Sequence, residues 1–333
     1  MALPQDMLTI TITEPGGPDV LAAARAPLPT PGDDEVLVKV AAAGVNGPDL
    51  LQRRGLYPPP PGASPLMGLE VSGTVVAVGA AVDRWQPGDQ LCALTNGGGY
   101  AEYVAINAGH CLPIPAGMTL QDAAGLPETF FTVWSNIFHG HSIAEGAVLL
   151  VHGGAGGIGA TAIQMGAAMG LRVFATAGGA EACRFCTDLG AERAIDYRDE
   201  DFVEVLREEA KGADIILDII GGDYIARNIK ASRPDARIIS LAFNQGSKVT
   251  VDLMPMMLKR LTLTGSTLRS RPPAFKAAIA AGLEERIWPL IAAGKITPVT
   301  WRTFPLAEAV AAHHCMEEAG KQGKILLISD NES

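Results

Sequence analysis

Gly154, Gly156 and Gly159 fit the pattern G-x-G-x-x-G, and their surroundings give it meaning. A short apolar run, Val148–Val151, precedes them, and a helix-period pattern over Ala160–Met169 follows. A strand that enters a glycine turn and leaves as a helix can bring backbone N–H groups up to a pyrophosphate at the helix N-terminus. Gly154, Ala155, Gly156, Gly157 and Ile158 are therefore candidate nucleotide-binding positions. The alternative is a glycine-rich turn without a ligand.

The next strand discriminates between cofactors. Where an Asp or Glu usually holds the adenosine ribose hydroxyls of NAD, this strand ends Ala177, Gly178, Gly179 with no carboxylate. Arg184, Tyr197 and Arg198 follow and could face a ribose phosphate, whereas Glu181 would repel one. NADPH is favoured over NADH.

Other reactive side chains offer less. The five cysteines, Cys92, Cys111, Cys183, Cys186 and Cys315, are scattered and odd in number, which argues against a disulfide framework. Cys183 and Cys186 have C-x-x-C spacing but no partner pair, and read as one buried helix face. His139 and His141 read as a solvated loop, His313 and His314 as incidental neighbours on a helix. His152 reads as a hydrogen-bonded structural histidine.

The elements that position these residues have two textures. Through about residue 120 the chain shows short strands punctuated by Gly and Pro, among them 7–13, 36–43, 68–79 and 90–94, which indicates a β-rich domain. From Thr119 the pattern turns helical, and after the glycine turn strands and helices alternate to Gly265, as in a parallel, doubly wound sheet. The tail from Pro273 returns to complete the first domain. The expected architecture is α/β: a β-rich domain over 1–126 completed by 270–333, and a dinucleotide-binding domain over 127–269. The last strand, Leu261–Gly265, leaves an apolar edge, so a homodimer is expected.

With 333 residues, 48% hydrophobic and 19% charged, the composition suits a compact two-domain enzyme. The net charge of −10 argues against nucleic acid as a partner. No run approaches the roughly 18 apolar residues of a membrane span, and no export signal is evident, so a cytoplasmic protein without membrane contact is expected.

Several segments carry a family likeness: 43–49, 52–62, Gly68–Gly73, Gly97–Tyr103, Leu126–Glu128, the glycine turn, 196–202 and Leu268–Arg271. With them the chain resembles the medium-chain dehydrogenase/reductase superfamily, with its GroES-like catalytic domain and Rossmann domain. Within that superfamily it is most similar to the zinc-free quinone oxidoreductase branch that includes zeta-crystallin, and to the p53-inducible type above all. The resemblance implies that Asn46, Asp49 and Tyr57 lie near the nicotinamide as catalytic residues. It places Thr132 against the nicotinamide, Ala155–Ile158 on the pyrophosphate, and Gly178 and Tyr197 at the adenosine end. Ala242, Phe243, Thr267 and Leu268 would line the cofactor's far side. Gly154 departs from the Ala or Leu often found there, and the segment Gly179–Arg184 lacks a common lysine.

Zinc-dependent members of the superfamily carry a cysteine at the position of Asn46 and a histidine at that of Leu69, and a four-cysteine lobe near residue 100. Here only Cys92 and Cys111 lie nearby, so no metal is expected. Without a Lewis acid to stabilise an alkoxide, the acceptor must delocalise the incoming charge itself, as a quinone or a conjugated enone does. Tyr57 and the Asn46 amide are the expected hydrogen-bond donors, with Asp49 orienting Asn46 or the cofactor. NADPH-dependent quinone reduction leads; an enone or enoyl reductase and a crystallin-like NADPH-binding protein with little turnover remain as alternatives.

Overall fold

The computed structural model describes residues 3–329. It divides into two compact units. The first comprises Met1–Phe131, Leu268–Ala292 and Pro298–Ser333; the second comprises Thr132–Thr267 and Ala293–Thr297. The change to helical texture thus begins inside the first unit, because one helix, Pro127–Val133, spans the boundary.

In chain order the front half runs β1 (Asp6–Ile12), β2 (Leu21–Pro27), β3 (Glu35–Val45), α1 (Gly47–Arg53), β4 (Glu70–Val78), β5 (Gln90–Leu94), β6 (Tyr103–Asn107) and β7 (Cys111–Pro113). Helix α2 (Pro127–Val133) and a π turn at Trp134–Phe138 follow. Then come β8 (Val148–His152), α3 (Gly157–Ala168), β9 (Arg172–Ala177), α4 (Ala180–Asp188), β10 (Arg193–Asp196) and α5 (Phe202–Glu209). The series continues with β11 (Ala213–Asp218), α6 (Tyr224–Ala231), β12 (Ser232–Ser240), α7 (Met254–Lys259) and β13 (Thr262–Gly265). The tail supplies α8 (Pro273–Arg286), α9 (Trp288–Ala292), β14 (Thr300–Pro305), α10 (Ala309–Glu317) and β15 (Lys324–Ile328).

The first unit is the expected GroES-like β-rich body. Its main sheet has the order β14-β15-β3-β4-β5-β7, with β6 also paired to β3. Apolar side chains of these strands, among them Val36, Val38, Val40, Val71, Leu91 and Leu327, fill one core. The tail strand β15 runs antiparallel to β3, with Ile325 opposite Val45. That register sets Lys324 beside the residue that follows β3, which is Asn46.

The second unit is the expected Rossmann sheet. Its six strands are all parallel, in the order β10-β9-β8-β11-β12-β13. Every residue of β8 is buried, as a continuous apolar run in a parallel sheet requires. The chain order across the sheet is that of a dinucleotide fold, whose ligands sit beyond the carboxyl ends of the strands. Both the glycine turn after β8 and the turn after β9 lie at those ends.

Candidate functional site

In the first unit the site is a buried polar cluster at the end of β3. Asn46 caps α1, and its backbone N–H donates to Asp49 Oδ2 at 2.9 Å. The Asn46 amide nitrogen donates to Glu70 Oε1 at 2.8 Å and to the Gly44 carbonyl at 3.4 Å, and its oxygen accepts from Lys324 Nζ at 2.5 Å. Lys324 also pairs with Glu70 Oε1 at 2.5 Å. This corrects the expectation of an Asn46 amide free to donate to an acceptor: its hydrogen-bonding capacity is spent on Glu70, Gly44 and Lys324.

Asp49 is fully buried and also accepts from the Gly68 N–H at 3.2 Å. Burial raises its pKa to about 6, against the lowering effect of those two amide bonds and of Lys324. Glu70, likewise buried, accepts the Glu128 backbone N–H at 2.8 Å. The Glu128 carboxyl itself has no hydrogen bond or ion pair among the described residues. Desolvation first, and Glu70 beside it second, push its pKa up to about 8.

Tyr57 is half-buried, and among the described residues its hydroxyl has no partner. Desolvation and the nearby Glu128 raise its pKa. The Arg269 guanidinium lies 5.4 Å from the Tyr57 ring centroid and donates to the Tyr57 and Asn96 carbonyls. Arg269 is only 6% exposed, and one of its terminal nitrogens is buried without a partner. Lys276 steadies this corner by bonding Asn96 Oδ1 and the Arg269 carbonyl. The sequence pointed to Asn46, Asp49 and Tyr57 but not to Glu70, Glu128, Arg269 or Lys324. Glu70 and Lys324 are brought together only by strand pairing, which no local pattern discloses.

In the second unit the glycine turn is closed by a Gly156 N–H bond to the Gly153 carbonyl. Helix α3 then starts with no side-chain cap on its first amides. Gly154 is buried while Ala155, Gly156, Gly157 and Ile158 keep partial exposure, leaving backbone N–H groups for an anion. Gly154 has a packing reason: a Cβ there would stand 2.7 Å from Cys186 Sγ. Cys186 is buried on α4 and Cys183 is half-buried beside it, as a helix face requires.

His152 is fully engaged beneath this turn. Its Nδ1 meets Thr176 Oγ1 at 3.0 Å and its Nε2 meets Asn228 Oδ1 at 2.8 Å. Asn228 donates onward to Asp218. Burial lowers the His152 pKa to about 4, so the ring is neutral and structural.

At the end of β9, Tyr197 and Arg198 approach the glycines. A Cβ on Gly178 would meet the Tyr197 hydroxyl at 2.5 Å, and one on Gly179 would meet an Arg198 nitrogen at 3.1 Å. Asp196 fixes this corner by accepting the Arg198 N–H at 3.1 Å. Arg184 is exposed on α4 with no hydrogen bond or ion pair to that pair. Thr132 is half-buried on α2, and its carbonyl accepts from Ser135 and Asn136. Ala242 and the exposed Phe243 follow β12 in a loop bonded to the 219–222 turn. Thr267 is exposed in the second unit, while Leu268 is buried and opens a segment of the first.

His313, read from the sequence as an incidental neighbour of His314 on a helix, makes specific buried contacts. It is completely buried between Arg53 and Tyr100, whereas its neighbour His314 is exposed and pairs with Asp19. Among the described residues no group of three or more His, Cys, Asp or Glu side chains could hold a metal ion. Also among them, no helix is long and apolar enough to cross a membrane.

Residues 32–116 match the alcohol dehydrogenase GroES-like domain, and residues 157–284 match the zinc-binding dehydrogenase domain. The chain is 31% identical to the quinone oxidoreductase of Lama guanicoe, with 97% of each chain covered. Among solved structures it is similar to the Escherichia coli quinone oxidoreductase complexed with NADPH, at a TM-score of 0.84 and 29% identity. That match covers 96% of this chain and 99% of the other. A mycobacterial protein complexed with NADPH matches at a TM-score of 0.85 and 29% identity, covering 97% and 99% of the two chains.

Proposed function

The chain belongs to the quinone oxidoreductase family of the medium-chain dehydrogenase/reductase superfamily, and from that premise we propose that it catalyses NADPH-dependent, zinc-independent reduction of quinones by hydride transfer. One observation carries the reading. In the polar cluster of the first unit the ammonium and the amide are committed to carboxylates, while Glu128 and Tyr57 retain protons with nothing to receive them.

Although one matched domain is described as zinc-binding, the residues here do not fit that metal. Asn46 and Leu69 stand where cysteine and histidine ligands would be needed, and Leu69 is buried and apolar. Cys92 and Cys111 are two buried thiols whose pKa values burial drives up, which leaves them poor ligands. A fixed cation, Lys324, is present, but Glu70 neutralises it. An acceptor that spreads its own charge needs no Lewis acid, and a quinone does so because hydride addition yields a phenolate.

NADPH fits the second unit: its pyrophosphate at the glycine turn Ala155–Ile158 that leads into the uncapped start of α3, and its ribose phosphate beside Tyr197 and Arg198. Bound there, the cofactor supplies the hydride. Thr132 is the proposed contact of the nicotinamide, Ala242, Phe243, Thr267 and Leu268 the proposed lining of the cofactor's far side, and Arg184 a peripheral cation. Glu128 gives its proton to the reduced acceptor oxygen, and Tyr57 and Arg269 orient the acceptor by hydrogen bonds. Asn46 and Asp49 hold Glu70 and Lys324 in place rather than touch the acceptor.

We further propose a homodimer through the second unit. Edge strand β13 is exposed along its length, and α7 beside it buries no residue, with Met257 and Leu258 about two-thirds exposed. Exposed apolar surface beside an open sheet edge is normally covered.

Steady-state oxidation of NADPH by a panel of quinones and enones, with and without a strong chelator, tests the proposal. Quinone-dependent turnover that the chelator leaves unchanged is expected. Turnover lost with the metal, or seen only with enones, would reject it.

A further inference from the structure

Thr176, His152, Asn228 and Asp218 come from β9, β8, α6 and β11 of the second unit, and each is no more than 1% exposed. Hydrogen bonds of defined direction link them. Asp218 Oδ2 accepts from the Asn228 amide nitrogen at 3.0 Å, which turns the amide oxygen toward His152 Nε2. That oxygen, at 2.8 Å, can only accept, so the neutral ring carries its proton on Nε2. Nδ1 is then an acceptor, and it takes the Thr176 hydroxyl at 3.0 Å. The Thr176 oxygen accepts in turn from the Gly153 N–H at 3.4 Å, within the glycine turn itself. At the other end Asp218 Oδ1 gathers the Ile220 and Gly221 amides at 2.7 and 3.1 Å.

We infer that these four side chains are positioning residues for the dinucleotide, a directed chain of hydrogen bonds that locks the turn after β8 to the turn after β11 and so preforms the cofactor's seat. The inference rests on reading the glycine turn as the NADPH site. The two turns also meet directly. Gly153 is left-handed, with φ of 69°, and a Cβ there would stand 2.7 Å from Ile219 Cδ1. The loop carrying Ala242 and Phe243 is bonded to the second turn. Its Leu241 N–H donates to the Asp218 carbonyl and its Gln245 N–H to the Ile220 carbonyl, both at 2.8 Å. The chain therefore reaches the glycine turn and the loop proposed to line the cofactor's far side.

A structural role alone explains the chain poorly. The His152 ring lies edge-on to Phe202 and Tyr224, with centroids 4.8 Å apart in each case. A phenylalanine would pack there without demanding two buried partners, and a valine would fill the place of Thr176. Burial keeps the histidine uncharged, so no ion pair repays the polar groups. What they add is orientation: a complete buried network fixes each member, and here its two ends are backbone amides of two ligand-facing turns.

The test is NADPH affinity by titration calorimetry, read beside thermal unfolding, in Thr176→Val, Asn228→Leu and the double variant. Each single substitution cuts the chain at a different link and is expected to weaken binding about tenfold. The double variant is expected to weaken it little further, because the chain is already broken. His152→Leu is expected to match the single variants. His152→Gln, whose amide can accept from Thr176 and donate to Asn228, is expected to restore most of the affinity. A lowered Tm with unchanged affinity in the single variants, or losses that multiply in the double one, would overturn the inference. Amide exchange reads the same chain without cofactor. The Gly153 N–H is expected to exchange faster in Asn228→Leu, three hydrogen bonds away, and an unchanged rate would equally overturn it. A protein that binds no NADPH would refute the cofactor reading and leave this chain to be judged on the exchange result.

Discussion

Three carboxyl groups lie around Lys324: Asp49, Glu70 and Glu128, the last also within reach of the Lys276 charge. Two have donors. Asp49 takes two, from Asn46 and Gly68, and Glu70 takes the Asn46 amide, the Lys324 ammonium and the Glu128 N–H. Glu128 has none, and burial beside Glu70 favours its protonated form. The sign follows from its raised pKa. The group is a donor below about pH 8 and loses that capacity as pH rises through 8, so turnover falls on the alkaline side. Glu128→Gln keeps the shape and removes the proton. It is expected to lower kcat on the order of 100-fold and abolish the alkaline limb, with NADPH binding unchanged by titration calorimetry. A variant with full kcat and the original limb would reject Glu128 as the donor. The sequence led to Asn46, Asp49 and Tyr57 through a family likeness carried by contiguous segments. Lys324 escaped it because it meets Asn46 across 278 residues of chain, a contact that only the β3–β15 pairing creates. His313 escaped for the same reason: its spacing on α10 says nothing of Arg53 or Tyr100.

Elements with a strong period were legible. The apolar run of β8, the alternation from β9 to β12 and helices α5 and α6 fall within a few residues of their sequence positions. Those without a period were not. Strand β2 reads Leu-Ala-Ala-Ala-Arg-Ala-Pro and owes its conformation to pairing with β1, and β7 has three residues. The tail helices α8 and α9 are separate because Pro289 cannot continue the first ladder. The glycine turn is legible as a motif, but the identity of Gly154 depends on α4, whose Cys186 Sγ packs against it. Gly154→Ala is therefore expected to cost about 1–3 kcal/mol in denaturant unfolding, and adding Cys186→Ala to recover part of it. A single variant as stable as the original would show that this contact relaxes freely.

At the scale of the whole molecule, an acidic chain forms two units: one bears the buried carboxyl cluster, the other the glycine turns. Both textures were readable from the distribution of Gly, Pro and helical periods, while the return of residues 293–297 to the second unit was not. The exposed β13 edge carries the proposal of a dimer. Light scattering at micromolar concentration is expected to give twice the mass of one 34.7 kDa chain, and Leu263→Lys, at 41% exposure on that edge, to shift it toward one. A monomer before substitution would contradict the proposed interface. The central claim, that this fold delivers hydride to an acceptor able to carry its own charge, is tested most directly by stopped-flow. Protein loaded with NADPH is mixed with a naphthoquinone under metal-free conditions and oxidation of the bound cofactor is followed. Rapid, saturable oxidation is predicted, faster with NADPH than with NADH; no oxidation above the buffer rate by any quinone would contradict it.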